Sequence, residues 1–138
     1  MYCIDIRHLS GEIIKIRFKS MYKINVKSLN EKYGIIINTV FNYYFHETIY
    51  QYLKMFNLNQ TFSILNVQFD LKGIFLRDPN VFIKWSDIET KSYRTYYTIL
   101  SKDKPDFYKA FDYIEEWNVW ILYNVVKQIL QSKTLLSN

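Results

Sequence analysis

The first third of the chain changes its hydrophobic period once. In residues 12–19, Ile14, Ile16 and Phe18 alternate with Lys15, Arg17 and Lys19. A period of two belongs to a strand with one buried face, and here the outer face is wholly basic. Upstream, Tyr2, Ile4 and Ile6 alternate with Cys3, Asp5 and Arg7, and His8-Leu9-Ser10-Gly11 supplies a turn. The pattern predicts an opening β-hairpin. Over residues 28–57 the period becomes helical, with Tyr33, Ile36, Ile37, Val40, Tyr44, Phe45, Ile49, Tyr52, Leu53 and Phe56 on one stripe. Ser28 and Glu31 have the spacing of a capping box. A break falls near Asn42 to His46, so the segment reads as one long helix or two. Asn57-Leu58-Asn59-Gln60 ends it.

Residues 61–100 return to strands. Leu65, Val67 and Phe69 alternate with Asn66, Gln68 and Asp70. Asp70-Leu71-Lys72-Gly73 reads as a turn, with Gly73 able to take a positive φ. Ile74 to Leu76 form the next strand, Asp78-Pro79-Asn80 the next turn, and Val81, Ile83 and Trp85 a further strand. Ile88 then leads into Tyr93 to Leu100, where β-branched and aromatic residues dominate. Over residues 105–132 the spacing of Phe107, Phe111, Ile114, Trp117, Ile121, Val125 and Ile129 predicts a second long helix, with Pro105 in its first turn and a loose tail after it. The expected fold is α+β: hairpin, long helix, antiparallel meander, and a long C-terminal helix packed on the sheet. Nothing in the pattern marks a boundary, so residues 1–138 are expected to form one domain.

Composition removes several classes. Apolar residues make up 49% and aromatics 19%, enough large side chains to build a core and exclude disorder. The single cysteine, Cys3, cannot close an internal disulfide, which points to a reducing compartment. Two distant histidines and one cysteine offer no zinc-ligand spacing, so no metal is expected. No apolar run reaches the ~18 residues of a membrane span. Asp5 interrupts the place of a signal peptide's apolar core, so a cytoplasmic location is expected. The isolated glycines Gly11, Gly34 and Gly73 fit no phosphate loop, and no cofactor is expected.

Catalytic chemistry also lacks a constellation. Glu115 and Glu116 are adjacent, and Asp112 with Glu116 would share a helix face as solvated carboxylates. Asp87, in Trp-Ser-Asp-Ile, is a candidate general base, but Ser-Asp after a strand is ordinary turn chemistry. Neither His8 nor His46 has a neighbouring nucleophile in a recognisable arrangement. The chain is therefore expected not to be an enzyme.

Two surfaces stand out. The net charge is +5, and between residues 7 and 27 six cations face Glu12 alone. Lysine on an outer strand commonly protects an open edge. The same strand face, Lys15, Arg17 and Lys19, is the candidate basic surface for an acidic partner or a phosphate backbone. Four arginines in the whole chain argue against nucleic acid. The second surface is aromatic. Tyr93, Tyr96, Tyr97, Trp117 and Trp120, with Asp87 beside them, are the candidate partner-binding residues, because Tyr and Trp anchor protein interfaces.

Gly73-Ile74-Phe75-Leu76, followed by Val81-Phe82-Ile83-Lys84-Trp85-Ser86-Asp87-Ile88 and a final helix, resembles bacterial pleckstrin-homology-like domains. The resemblance implies a binding or scaffold module and identifies no ligand; with the basic N-terminal strand, it gives the alternative expectation of a module that binds a peptide or anionic lipid there. In general character (short, cysteine-poor, α+β and free of catalytic motifs) the chain is also similar to the small immunity proteins of bacterial toxin systems. That likeness implies a protein that neutralises a toxin by covering its working surface. A nucleic-acid binder is the third expectation.

Overall fold

The computed structural model describes residues 2–7, 10–19 and 25–136. The fold is α+β, with three antiparallel sheets. Contacts divide the chain into two compact units, Met1–Tyr44 and Phe45–Asn138.

The first unit holds strands β1 (Tyr2–Arg7) and β2 (Ile13–Phe18) and helix α1 (Val26–Val40). The register pairs Tyr2 with Phe18, Ile4 with Ile16 and Ile6 with Ile14. Cys3 and Asp5 lie opposite Arg17 and Lys15. The apolar and basic faces are those that the alternation predicts. Tyr2 stacks on Tyr33 of α1, with ring centroids 4.9 Å apart, and its hydroxyl donates to Asn30 Oδ1. Of the hairpin turn, His8 and Leu9 lie outside the described residues. The helix does not start on the capping box. Asn25 precedes it in the left-handed region (φ 62°), its carbonyl accepts from Leu29 N–H, and Ser28 falls inside the first turn. Asparagine tolerates that conformation, which makes Asn25 the start signal of the helix.

A π-helical turn, Phe41–Phe45, separates α1 from α2 (His46–Asn57). The expected break is thus a change of winding rather than a loop. Ile49 and Phe56 of α2 are buried.

The second unit contains a four-stranded sheet, β3 (Phe62–Ile64), β4 (Val67–Asp70), β5 (Gly73–Leu76) and β6 (Val81–Lys84), in that order. A 3-10 turn, Trp85–Asp87, leads to a three-stranded sheet, β7 (Ile88–Ser92), β8 (Tyr96–Ser101) and β9 (Tyr108–Asp112). Helix α3 (Val119–Leu136) closes the chain and runs through the expected tail as far as Leu136. The inward residues of both sheets, including Val67, Phe69, Ile74, Ile99 and Phe111, form one core with Ile49 and Phe56 of α2 and with Val119, Leu122 and Val126 of α3. Burying one such side chain fully contributes about 1.5–3 kcal/mol. Trp85 packs edge-on to Phe56 (5.6 Å) and its indole N–H donates to Asp70 O at 2.8 Å.

The expected helix over 105–132 is wrong in its first half. Residues Tyr108–Asp112 are strand, Ile114 is exposed, and Trp117 precedes the helix instead of sharing a face with Trp120. The cause is arithmetic. Phe107 and Phe111 are four apart, and four is compatible with both a helical turn and two strand repeats. Tertiary pairing with β8 decides for strand, placing Phe111 opposite Tyr97.

Gly73 also has a different reason from the expected one. Positive φ is not needed there. A Cβ at Gly73 would stand 2.1 Å from the Ile83 carbonyl oxygen and 2.8 Å from the Phe82 ring. Gly73→Ala forces β5 and β6 apart and is expected to cost about 3 kcal/mol, the high end of overpacking penalties. Urea unfolding of the two proteins measures it, and an unchanged midpoint would refute the close approach.

Candidate protein-binding surface

The aromatic residues gather at one end of the β7–β8–β9 sheet and at the start of α3. Alternation on β8 decides their fates. Tyr97 and Ile99 point inward, whereas Tyr96 and Thr98 belong to the outer face. Tyr97 is 1% exposed and is a core residue, which removes it from the candidate contact surface. Its ring lies edge-on to Tyr123 of α3, with centroids 5.3 Å apart. Burial pushes its phenol pKa up, and a hydrogen bond with Thr90 opposes that shift only in part.

Tyr93 and Tyr96 remain outside, 48% and 40% exposed. They stack with centroids 4.5 Å apart, and Tyr93 N–H donates to Tyr96 O at 2.8 Å. The pair is therefore held on both backbone and side chain. Tyr113, which the sequence reasoning did not single out, joins this end of the sheet to the helix. Its N–H donates to Thr95 O at 3.0 Å, and its hydroxyl shares a hydrogen bond with Ser92 Oγ at 2.8 Å. Trp120, 45% exposed, lies against the Tyr113 ring at 5.4 Å and edge-on to Tyr123 at 5.6 Å. Lys127 Nζ stands 5.7 Å from the Tyr123 centroid. Continuing the strand alternation from Phe111 would have placed Tyr113 inward, and that was the missed signal. Trp117 is half-buried in the segment between β9 and α3.

That segment is fixed by two carboxylates. Asp112 Oδ1 accepts from the N–H groups of Ile114 (2.7 Å) and Glu115 (3.1 Å), while Glu116 Oε2 accepts from Asp112 N–H (2.8 Å). Asp112 and Glu116 thus cap a turn and do not form the solvated helix face expected from their spacing. Asp87 takes a comparable local role. Its carboxylate accepts from Ser86 Oγ at 3.0 Å, and its carbonyl accepts from Lys102 N–H at 2.7 Å. It belongs to the bend between the two sheets, and its hydrogen bonds are to Ser86 and Lys102 rather than to the tyrosine pair.

Lys15, Arg17 and Lys19 are exposed in the first unit. Arg17 forms an ion pair with Asp5, and this hydrogen bond holds the Asp5 carboxyl below its ordinary pKa and raises that of Arg17. Among the described residues, no three His, Cys, Asp or Glu side chains converge as a metal site. No described helix is long and apolar enough to cross a membrane. No protein-family model, no curated protein and no solved structure matches the chain.

Two outcomes follow from this geometry. Asp112→Ala removes the turn's acceptor and is expected to cost about 1 kcal/mol, as loss of a cap does, with a weakened near-ultraviolet signal from Trp120. Thermal melts and circular dichroism check both effects, and an unchanged melt would contradict the capping role. The Tyr97 effect has a defined sign. The unfolded chain releases the phenolic proton near pH 10 and the folded chain holds it longer, so this contribution is intact below about pH 10 and is lost as pH rises above it. Between about pH 8 and pH 11, Tyr97→Phe is expected to lose less stability than the parent, read as urea midpoints. Equal losses would contradict the assignment.

Proposed function

We propose that the chain is a non-enzymatic protein-binding module of the cytoplasm, and that it works as an immunity protein by covering a cognate bacterial toxin. The observation that carries this reading is the solvent-facing Tyr93–Tyr96 stack, which Tyr113 links to Trp120. These rings are already ordered by Tyr113, Tyr123 and the β8–β9 backbone, so binding would cost little further side-chain entropy. Large, amphipathic and pre-ordered rings are what interface centres use. Glu89 and Lys91, paired at 3.5 Å on β7, and Arg94 in the following turn furnish a charged rim. Occlusion needs no catalytic group. It requires only that the partner's working surface be filled more tightly than its substrate fills it.

The open reading frame adjoining this chain's gene provides the test. Expressed alone in a bacterial host, its product is expected to arrest growth, and co-expression of this chain is expected to restore it. Tyr93→Ala with Tyr96→Ala should abolish the protection while leaving the thermal melt close to that of the parent. Anchors of this kind contribute about 2 kcal/mol each, roughly thirtyfold in Kd. A product that leaves growth unaffected, or arrest that the parent chain does not relieve, would contradict the immunity reading.

A further inference from the structure

We propose that the open edge of β2 takes up an extended segment of a partner protein as a third strand, and that this segment alternates acidic with apolar side chains. The proposal uses none of the aromatic residues above, so the two readings stand or fall separately.

The argument starts from backbone valence. β1 and β2 form a two-stranded sheet. Every second residue of β2 therefore directs its N–H and C=O away from β1. Among the described residues, no third strand meets them. A lone hairpin is marginal in water and gains from a further strand.

The side chains then specify the occupant. The apolar side of the sheet is unevenly covered. Tyr33 of α1 stacks on Tyr2 at one end, whereas Ile14 at the other end is 55% exposed and its partner Ile6 is exposed as well. No residue of α1 is buried. On the opposite side, Lys15 and Arg17 project from β2, and Lys19 follows immediately. Arg17 is drawn back to Asp5, which leaves Lys15 and Lys19 as the cations facing an incoming strand. Like charges directly opposite are destabilising, so this edge rejects a second copy of itself. A strand with Asp or Glu at the facing positions is attracted instead. Because side chains alternate, its intervening residues fall beside Ile14 and Ile16 and must be apolar. This is recognition by strand addition: main-chain hydrogen bonds supply affinity and alternate side chains supply selectivity. A lipid surface offers no strand to pair with this edge. Stacked bases offer none in strand register, and Arg17 is already paired with Asp5.

The test is calorimetric titration of the full chain with a blocked peptide of alternating valine and glutamate, about eight residues long. Saturable binding is expected. Lys15→Glu with Lys19→Glu should weaken it about tenfold or more, with circular dichroism confirming that the variant is folded. N-methylation of alternate peptide amides should abolish it, since the main-chain bonds are then lost. Absence of binding by the unmodified peptide overturns the proposal. So does binding that survives N-methylation, or tighter binding of the chain to phosphatidylserine vesicles or a single-stranded oligonucleotide than to the peptide.

Discussion

The packing of Trp85 is the contact on which the second unit depends. It lies where the chain leaves the four-stranded sheet for the three-stranded one. Its ring meets Phe56 of α2 and Phe69 of β4, and its N–H is satisfied by Asp70 at the far end of the β4–β5 hairpin. Just beyond, Asp87 O receives Lys102 N–H from the end of β8. One indole therefore ties the four-stranded sheet to α2 at the bend, with its N–H paired, and the Asp87–Lys102 hydrogen bond carries the bend on to β8. Without that bend, the inward faces of the two sheets could not share a single set of helical residues.

The same arrangement explains why Tyr93 and Tyr96 reach solvent at one end of the β7–β8–β9 sheet while Tyr97 does not. Alternation on β8 must place every second residue outside, and α3 covers the inner side alone. Tyr97 goes to the core and Tyr96 to the surface because they are neighbours on a strand. Tyr113 and the Asp112–Glu116 turn then lock the approach to α3, which sets Trp120 against a rigid support. The proposed contact surface is thus a by-product of the core's geometry, and its order comes from the same hydrogen bonds that complete the sheet.

Much of this was legible in the chain. The β1–β2 faces, the β4–β5–β6 turns at residues 70–73 and 78–80, and the buried run Ile121, Val125 and Ile129 all follow from simple periodicity. What was not legible has physical causes. The spacing of Phe107 and Phe111 satisfies two periods at once, so only pairing with β8 resolves it. The left-handed Asn25 and Asn118 begin their helices more firmly than the Ser28–Glu31 spacing does, and an asparagine's sign is unreadable without backbone angles. The role of Gly73 rests on a carbonyl ten residues away in the next strand, a contact that no local pattern encodes. The aromatic surface was half legible: residue type pointed to the cluster, but which ring is buried depends on the phase of β8.

The central claim is that both sheets, α2 and α3 share one cooperative core joined at Trp85. Native-state amide hydrogen exchange on the full chain tests it most directly. The account predicts that protected amides in β4, β5, β8 and the middle of α3 open together, with one common free energy and one common dependence on denaturant. Separate opening of the four-stranded and three-stranded sheets, with two distinct free energies, would contradict it.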